Sequence, residues 1–269
     1  MISANPRAVV TGAAGGLGRS LAKRLAERGG HIVIADIDLG GAEETARIVE
    51  RAGGKAHVER CDVSKAADVE RLRDRSEEVL GAIDLIVNNA GVAVGGPVGE
   101  IPLADWDWIV GINLMGVIYG CHFFLPAMKK RGSGHILNVA SIAGVTYAPQ
   151  MGPYNATKAG VVALTETLAA ELNKTGVGAT VLCPYFFETN IHRAARAHTD
   201  KVSPDAIEKL MRANKVGADD VAAIALRACD KNEVFCFPHK EAKMLQALKR
   251  VSPGLIRSLF PTLEKLARG

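Results

Sequence analysis

The sequence predicts an α/β protein, in which a doubly wound parallel sheet of about seven strands carries helices on both faces. Short runs rich in Val, Ile and Leu, apolar on both faces, alternate along the chain with longer stretches of helical periodicity. A glycine-rich turn directly follows the first of these runs. Because ligands of such sheets bind beyond the carboxyl ends of the strands, the residues at those ends are candidates for the functional site.

Seven strands and six helices follow from these patterns, in chain order. The strands are predicted at 7–11, 31–36, 55–62, 83–90, 134–141, 177–184 and 234–237. The helices are predicted at 16–29, 40–53, 65–80, 104–130, 152–175 and 218–230. No linker or repeat divides the chain. We therefore expect one catalytic domain over 1–238, with a polar flap at 188–216, and a basic C-terminal extension over 239–269.

The composition is that of a soluble globular protein, since 48% of the residues are hydrophobic and 23% are charged. The five cysteines lack C-x-x-C spacing, which argues against a disulfide framework or a metal site and favours a reducing, cytoplasmic environment. The first residues contain no long apolar run before the glycines, so we expect no secretory signal. No aromatic-interleaved basic patch indicates a nucleic-acid partner.

Two segments could contact a membrane. Residues 109–128 carry no Asp, Glu, Lys or Arg, but Asn113, His122 and Pro126 interrupt them. That favours a helix buried on most sides, in a core or in a subunit interface. The extension at 239–269 carries seven Lys or Arg and two Glu. It could pack on its own chain, on a neighbouring subunit or on an anionic membrane surface.

The turn after the first strand predicts a dinucleotide site. It reads TGAAGGLG and lies between a strand and a helix, where backbone can approach a pyrophosphate and helix N–H groups can face it. We assign Gly12, Gly16, Leu17 and Gly18 to the cofactor on this basis. Asp36 ends the second strand, where a carboxylate can accept hydrogen bonds from the adenosine ribose hydroxyls.

Asp36 also predicts which dinucleotide binds. A 2′-phosphate would meet its negative charge, and neither Ala14 nor Ile37 supplies a compensating basic side chain. The sequence therefore favours NAD(H) over NADP(H), with a turn or helix cap as the alternative role for Asp36. Asp62 and Val63 follow the third strand, at the adenine edge of such a site, although Asp62 could instead cap the next helix.

The pattern resembles the short-chain dehydrogenase/reductase family, over residues 7 to about 237. The likeness rests, in chain order, on TGAAGGLG, Asp36, Asp62, NNAG at 88–91, Asn113, Ser141, Tyr154 and Lys158. Ser141 precedes Tyr154 by 13 residues, the spacing typical of that family. The resemblance implies a Rossmann fold with strand order 3-2-1-4-5-6-7 and assembly into a homodimer or homotetramer.

The stretch YNATK places Tyr154 and Lys158 one helical turn apart on one face. A nearby ammonium favours tyrosinate, so we expect Lys158, together with the nicotinamide cation, to lower the pKa of Tyr154. Tyr154 could then remove the hydroxyl proton of an alcohol while hydride leaves its carbon. The resemblance implies that Lys158 also holds the nicotinamide ribose, that Ser141 holds the substrate oxygen, and that Asn113 anchors a proton-relay water. An internally satisfied amide is the alternative for Asn113.

Further cofactor contacts are implied by the resemblance. Asn89, Ala90 and Gly91 would let the adenosine ribose pack against backbone, with a tight turn as the alternative. Pro184 and Thr189 match the family positions after the sixth strand, where Thr189 would bind the nicotinamide carboxamide.

One position departs from the family pattern. Tyr185 follows Pro184 where the family usually has Gly, which often gives that loop its backbone freedom. Tyr185 and Phe186 could form, with Ser141, a pocket for an apolar or aromatic substrate. The alternative is that the two rings pack under the loop as core.

The predicted function is NAD-dependent interconversion of an alcohol, secondary and apolar or aromatic, with its ketone or aldehyde. The alternatives are an acyl-thioester ketoreductase of the same fold and a non-catalytic dinucleotide-binding sensor or scaffold. Four basic flap residues could touch an acidic substrate or remain solvated, namely His192, Arg193, Arg196 and His198.

Overall fold

The computed structural model describes residues 2, 4–187, 191, 195–198, 214 and 216–254. Its strands are β1 (Arg7–Thr11), β2 (His31–Asp36), β3 (Lys55–Arg60), β4 (Leu85–Asn88), β5 (Val94–Gly95), β6 (Gly134–Val139), β7 (Val177–Leu182), β8 (Arg196–Ala197) and β9 (Phe235–Cys236). Seven of them form one parallel sheet in the order β3-β2-β1-β4-β6-β7-β9. Counted within that sheet, this is the predicted order 3-2-1-4-5-6-7. The other two, β5 and β8, pair with each other and were not predicted.

The helices are α1 (Gly16–Ala26), α2 (Leu39–Arg51), α3 (Ala66–Leu80), α4 (Leu103–Val110), α5 (Gly116–Arg131), α6 (Ala143–Thr146), α7 (Gly152–Glu171), α8 (Ala218–Asp230) and α9 (Lys240–Val251). A π-helical segment, Gly111–Met115, joins α4 to α5. The single helix predicted at 104–130 is therefore continuous, with a π-helical segment in its middle. The short α6 was not predicted, because a single turn of four residues leaves no periodic pattern.

The sheet separates two apolar core layers, which explains why its strands are apolar on both faces. In β1, Val9 faces one layer, while Ala8 and Val10 face the other. All three are fully buried, and each large aliphatic side chain buried in this way contributes about 1.5–3 kcal/mol. The parallel connections place the carboxyl ends of all seven strands along one edge, where the predicted site residues lie.

The segment Leu103–Arg131 is the one described stretch that is long and apolar enough to cross a membrane by length and composition. Of its most apolar window, 39% is buried inside the protein. Less than half of that window is therefore buried within the protomer itself, and burial of the rest in a subunit interface stays a prediction. Val117 and Phe124 pack into the core beneath the sheet, and His122 and Pro126 on the opposite face are exposed.

The described part of the C-terminal extension packs on its own chain. Ala242 of α9 is fully buried, and Leu245 packs against the core layer that holds α5 and α7. Residues 255–269 lie outside the described residues, and with them most of the apolar part of the extension. Membrane contact through this extension stays a prediction. The five cysteines are all buried and free.

Candidate active site

The glycine turn after β1 lets backbone segments approach so closely that no side chain would fit between them. Gly12 has a left-handed φ of +63°, and a Cβ there would lie 2.6 Å from Ala90 Cα. A Cβ on Gly18 would lie 2.3 Å from Gly12 O. Gly16 is also left-handed, with φ +53°. Gly12 therefore requires glycine for both conformation and space, Gly16 for conformation and Gly18 for space.

Asn89 braces this turn from the neighbouring strand. Its Nδ2 donates to Thr11 O at 2.8 Å and to Gly12 O at 3.0 Å. The Thr11 hydroxyl accepts from the N–H groups of Asn89 and Ala90 at 3.0 and 3.2 Å. The Asn89 side chain therefore uses its hydrogen bonds within the protein. This turn can contact a cofactor through its backbone. Thr11 was not singled out from the sequence, although it lies within the quoted TGAAGGLG.

The N-terminus of α1 is suited to bind an anion. Its N-cap is Gly15, no side chain of the described residues caps it, and its first turn contains no acidic residue. The N–H groups of Gly16, Leu17 and Gly18 therefore present the positive end of the helix dipole to the edge of the sheet. Together with the compact glycine backbone, this cradle fits the pyrophosphate of a dinucleotide.

Asp36 ends β2 beside this cradle, with its carboxylate partly exposed. It accepts from the Ala14 N–H at 2.8 Å and from the Asp38 N–H at 3.0 Å. The carboxylate therefore acts as a turn cap in the free protein, and its position at the strand end also suits a ribose diol. Arg19, the basic residue closest in sequence to the turn, is paired with Glu44 at 2.9 Å and donates to Ala14 O.

Asp62 lies at the end of β3 but does not cap α3. That helix begins at Ala66, its N-cap is Lys65, and no side-chain cap bond is made there. Asp62 instead accepts from the N–H and the hydroxyl of Ser64, at 3.1 and 2.6 Å. Burial acts to raise the pKa of Asp62, but Ser64 and Lys65 outweigh it and hold that pKa below its usual value. The Val63 side chain is buried, so only its backbone can face a cofactor.

The predicted catalytic residues meet beyond the ends of β4 and β6. Tyr154 and Lys158 lie on α7 with exposures of 9% and 3%, and Asn113 is fully buried. Lys158 Nζ donates to Val139 O at 2.8 Å and lies 5.8 Å from the centre of the Tyr154 ring. A Cβ on Gly91 would lie 3.3 Å from Asn113 Oδ1 and 3.5 Å from Lys158 Nζ. The turn after β4, the π-helical segment and α7 thus converge.

Burial governs the protonation of this pair. Loss of solvent lowers the pKa of Lys158 to about 8, and among the described residues no carboxylate offsets that effect. Burial raises the pKa of Tyr154, and the neighbouring Ser141 hydroxyl acts in the opposite direction. The lowering of this pKa by Lys158 together with the nicotinamide cation stays a prediction, because it concerns the protein with its cofactor bound.

The side chain of Asn113, in the π-helical segment, forms hydrogen bonds to the backbone of Val92. Its Oδ1 accepts from the Val92 N–H at 2.8 Å, and its Nδ2 donates to Val92 O at 2.9 Å. The side chain is therefore satisfied internally and fixes the loop after β4. The water relay through Asn113 stays a prediction. A π-helical turn is often found at functional sites and could not be foreseen from residue spacing.

The loop after β7 needs no glycine at Tyr185. Tyr185 does not adopt a left-handed φ, and its N–H donates to His239 Nδ1 at 3.2 Å. Pro184 O accepts from the Ile142 N–H at 2.9 Å, which ties this loop to the one that carries Ser141. Tyr185 and Phe186 are half-buried, with their rings edge to face at 5.1 Å. Their role in a substrate pocket stays a prediction, and Thr189 lies outside the described residues.

Two basic residues of the flap are paired within the protein. Arg196 and His198 both bind the carboxylate of Asp105 on α4, and the Arg196 guanidinium lies 3.8 Å from the centre of the Trp108 ring. Contact of these two residues with an acidic substrate stays a prediction, and it would have to compete with Asp105. His192 and Arg193 lie outside the described residues. Asp105 was missed, although an acid within the apolar run LADWDWIV is the kind of signal that marks a paired carboxylate.

Comparison with known proteins identifies the family. A sequence model described as short chain dehydrogenase matches residues 6–200. A short chain dehydrogenase/reductase from Burkholderia phymatum, solved in complex with NAD, has a TM-score of 0.86 and 35% identity, over 95% of this chain and 96% of that one. Another similar structure, a metagenomic short-chain oxidoreductase of 27% identity, was solved in complex with NADP, so the choice of cofactor rests on the residues of this chain.

Two curated relatives differ in the share of their own length that the chain matches. The 3beta-hydroxysteroid dehydrogenase 1 of Eggerthella lenta is 36% identical over 224 residues, which are 81% of this chain and 84% of that protein. The probable oxidoreductase EphD of Mycobacterium tuberculosis is 35% identical over 257 residues, which are 93% of this chain and 43% of that protein. The chain thus spans less than half the length of EphD. The match to the family model, covering most of the chain, shows that the protein belongs to the short-chain dehydrogenase/reductase family.

Proposed function

We propose that the protein is an NAD-dependent oxidoreductase that interconverts a secondary alcohol, apolar or aromatic, with its ketone. The observation that carries this proposal is the convergence of Tyr154, Lys158 and Ser141 beside the glycine turn. A bound nicotinamide supplies the hydride acceptor in the oxidative direction and the hydride donor in the reverse one. The protein then has to bind the alcohol, orient it and move one proton.

Each of the three side chains has a role that its surroundings support. Tyr154 Oη takes the hydroxyl proton as the carbon–oxygen double bond forms, and returns it in the reverse direction. The Ser141 hydroxyl donates to the substrate oxygen and so stabilises charge that develops there. The Lys158 ammonium, buried near the Tyr154 ring, offsets the negative charge of the tyrosinate.

The surroundings of Tyr154 support an apolar substrate. Tyr154 belongs to a small apolar cluster with Val94, Ile101, Ile109 and Ala143. Trp106, Met151 and the flap residue Ile191 pack against that cluster. A site of this kind excludes water and gains affinity from burying apolar surface. The likeness to a relative named as a hydroxysteroid dehydrogenase is in keeping with such a substrate.

Replacing Tyr154 by Phe tests the proposal directly. We expect Tyr154→Phe to lower kcat by at least about 100-fold, the usual contribution of a positioned acid–base group, while NADH binding is retained. NADH formation from NAD would be followed across a panel of secondary and aromatic alcohols, beside NADPH oxidation with an acyl-thioester. Tyr119→Phe on α5 is the matched control and should keep wild-type turnover.

The outcomes separate the alternatives. Equal turnover in wild type and Tyr154→Phe would contradict the mechanism. Turnover with the acyl-thioester alone would indicate the ketoreductase. NADH binding without turnover of any substrate would favour the non-catalytic sensor.

The cofactor preference rests on the charge of Asp36. We expect wild type to bind NADH at least about tenfold more tightly than NADPH, since a 2′-phosphate near the carboxylate costs on the order of 1.4 kcal/mol or more. Asp36→Asn keeps an oxygen for the Ala14 N–H and removes the charge, so the ratio should fall toward one. Fluorescence titrations with both cofactors measure it. A wild-type preference for NADPH would refute the assignment.

A further inference from the structure

The first half of the C-terminal extension contacts two loops of the active site. Helix α9 packs against the core through Ala242 and Leu245, and its two ends contact different loops. His239, just before its first turn, meets the loop after β7, and Lys249, in its last turn, meets the loop after β6. We refer to residues 141–151 as the serine loop and to residues 183–187 as the tyrosine loop.

His239 supports the tyrosine loop from beneath. It is 1% exposed, and its Nδ1 accepts from the Tyr185 N–H at 3.2 Å. Its ring centre lies 6.5 Å from that of Tyr185 and 6.0 Å from that of Phe187. Burial lowers the pKa of His239, with opposing contributions from the Val216 carbonyl and Glu241, so a neutral ring with an unprotonated Nδ1 that accepts this bond is favoured.

Lys249 supports the serine loop from outside. Its Nζ donates to Val145 O and lies 3.3 Å from the centre of the Tyr147 ring. Tyr147 ends α6 with a left-handed φ of +59°, a conformation that is unfavourable for a non-glycine residue. A hydrogen bond to the preceding turn and a cation over the ring are the contacts that hold this conformation in place.

The two loops also contact each other and the catalytic helix. The Ile142 N–H of the serine loop donates to Pro184 O of the tyrosine loop at 2.9 Å. A Cβ on Gly144 would lie 2.6 Å from Lys158 O, so α6 rests directly on α7. Asn155 Nδ2 donates to Ala148 O at 2.7 Å. A displacement of either loop would therefore move Ser141 relative to Tyr154.

We propose that α9 fixes the substrate side of the active site, and that His239 and Lys249 are positioning residues for the tyrosine loop and the serine loop. The C-terminal extension is then part of the catalytic architecture up to at least Val251. For its kinetic consequence, this proposal rests on the proposed function. For its structural consequence, it can be tested without any substrate.

Hydrogen exchange of the free protein tests the structural consequence. His239→Leu removes the acceptor of the Tyr185 N–H, and exchange of that amide should rise at least tenfold. His239→Asn offers an oxygen near the position of Nδ1 and should largely restore protection. Lys249→Met should speed exchange at residues 144–146, and Lys249→Arg should not. Lys240→Met, an exposed lysine on the same helix, is the control and should leave both loops unchanged.

Two exchange results would overturn the proposal. One is identical loop protection in Lys249→Met, His239→Leu and the control. The other is faster exchange throughout, including the amides of β1, since that pattern means general destabilisation.

The kinetic consequence is a change in KM for the alcohol. Lys249→Met should raise that KM at least fivefold, with the NADH dissociation constant within twofold of wild type. An unchanged KM would overturn the proposal. Loop exchange that responds as expected, in a protein that turns over no alcohol, would contradict the proposed function and still support the positioning role of α9.

Discussion

At the residue scale, burial of the Lys158 ammonium lowers the stability of the folded protein. Its ammonium is 3% exposed and has a backbone carbonyl, Val139 O, as its hydrogen-bond acceptor. Burying a cation without a carboxylate is unfavourable, and the pKa of about 8 expresses that cost. A neutral side chain at this position would avoid the cost but would leave the tyrosinate without a neighbouring positive charge.

The lowered pKa predicts how stability depends on pH. Between about pH 8 and 10.5 the unfolded chain binds the Lys158 proton and the folded protein does not, so stability from this residue rises with pH. Relative to Lys158→Met, wild type should gain about 3 kcal/mol of unfolding free energy across that window. Urea unfolding of both proteins at pH 7 and pH 10 measures the difference. A constant difference would mean that Lys158 has an ordinary pKa.

At the scale of elements, residues 196–198 of the flap are held by a small sheet and an ion-pair cluster. Strand β8 lies beside β5, with the N–H groups of Arg196 and His198 donating to Ala93 O and Gly95 O at 3.1 and 2.8 Å. The side chains of the same two residues bind Asp105, whose pKa they lower. A two-residue strand pair has little stability of its own, so the side chains on α4 must supply much of the attachment.

Removing the Asp105 charge should release this attachment. In Asp105→Asn we expect amide exchange at 196–198 to rise at least tenfold, because the ion pairs with Arg196 and His198 are lost. KM for the alcohol should rise with it, since Ile191 of the flap packs against the cluster around Tyr154. Exchange mass spectrometry measures the effect, with Asp107→Asn, an exposed acid on the same helix, as control. Equal exchange in the two variants would show that the strand pair holds the flap unaided.

At the scale of the whole molecule, the outward face of α5 and α7 leaves apolar side chains partly exposed. It forms a largely apolar groove of about 560 Å³, lined by Ile118, Cys121, His122, Leu125, Pro126, Lys129 and Leu164. We propose that a second copy of the chain covers this face, since members of the family generally form oligomers. The uncharged character of 109–128 then has a physical reason other than a membrane.

A charge placed in the groove should dissociate that assembly. The protomer mass is 28.4 kDa, and we expect wild type at micromolar concentration to show a multiple of it by light scattering. Leu125→Glu should shift the protein toward the protomer mass, because a buried unpaired carboxylate is costly. Leu103→Glu, at a leucine that is 79% exposed on α4, should not. A wild type of protomer mass, or an assembly that tolerates Leu125→Glu, would contradict the proposed interface.

The sequence by itself determined the sheet, the cofactor turn and the face of α7 that carries Tyr154 and Lys158. These features are local, since apolar periodicity, a glycine turn between a strand and a helix, and a four-residue spacing each span a few residues. The strand order came from the likeness to a family, and the structure confirms it. The element ends were less well predicted, as at 83–90, where the strand stops at Asn88 so that the next residues can form the turn.

Only the tertiary structure decided which residues, far apart in the sequence, contact each other. Asp105 meets Arg196 and His198 more than 90 residues away, and His239 meets Tyr185 across 54 residues. No periodicity connects such positions, because their contact depends on how whole elements pack. The sign of the Tyr154 pKa shift was decided in the same way. Spacing identified the neighbouring ammonium, but the burial of the phenol, which raises its pKa, exists only in the folded protein.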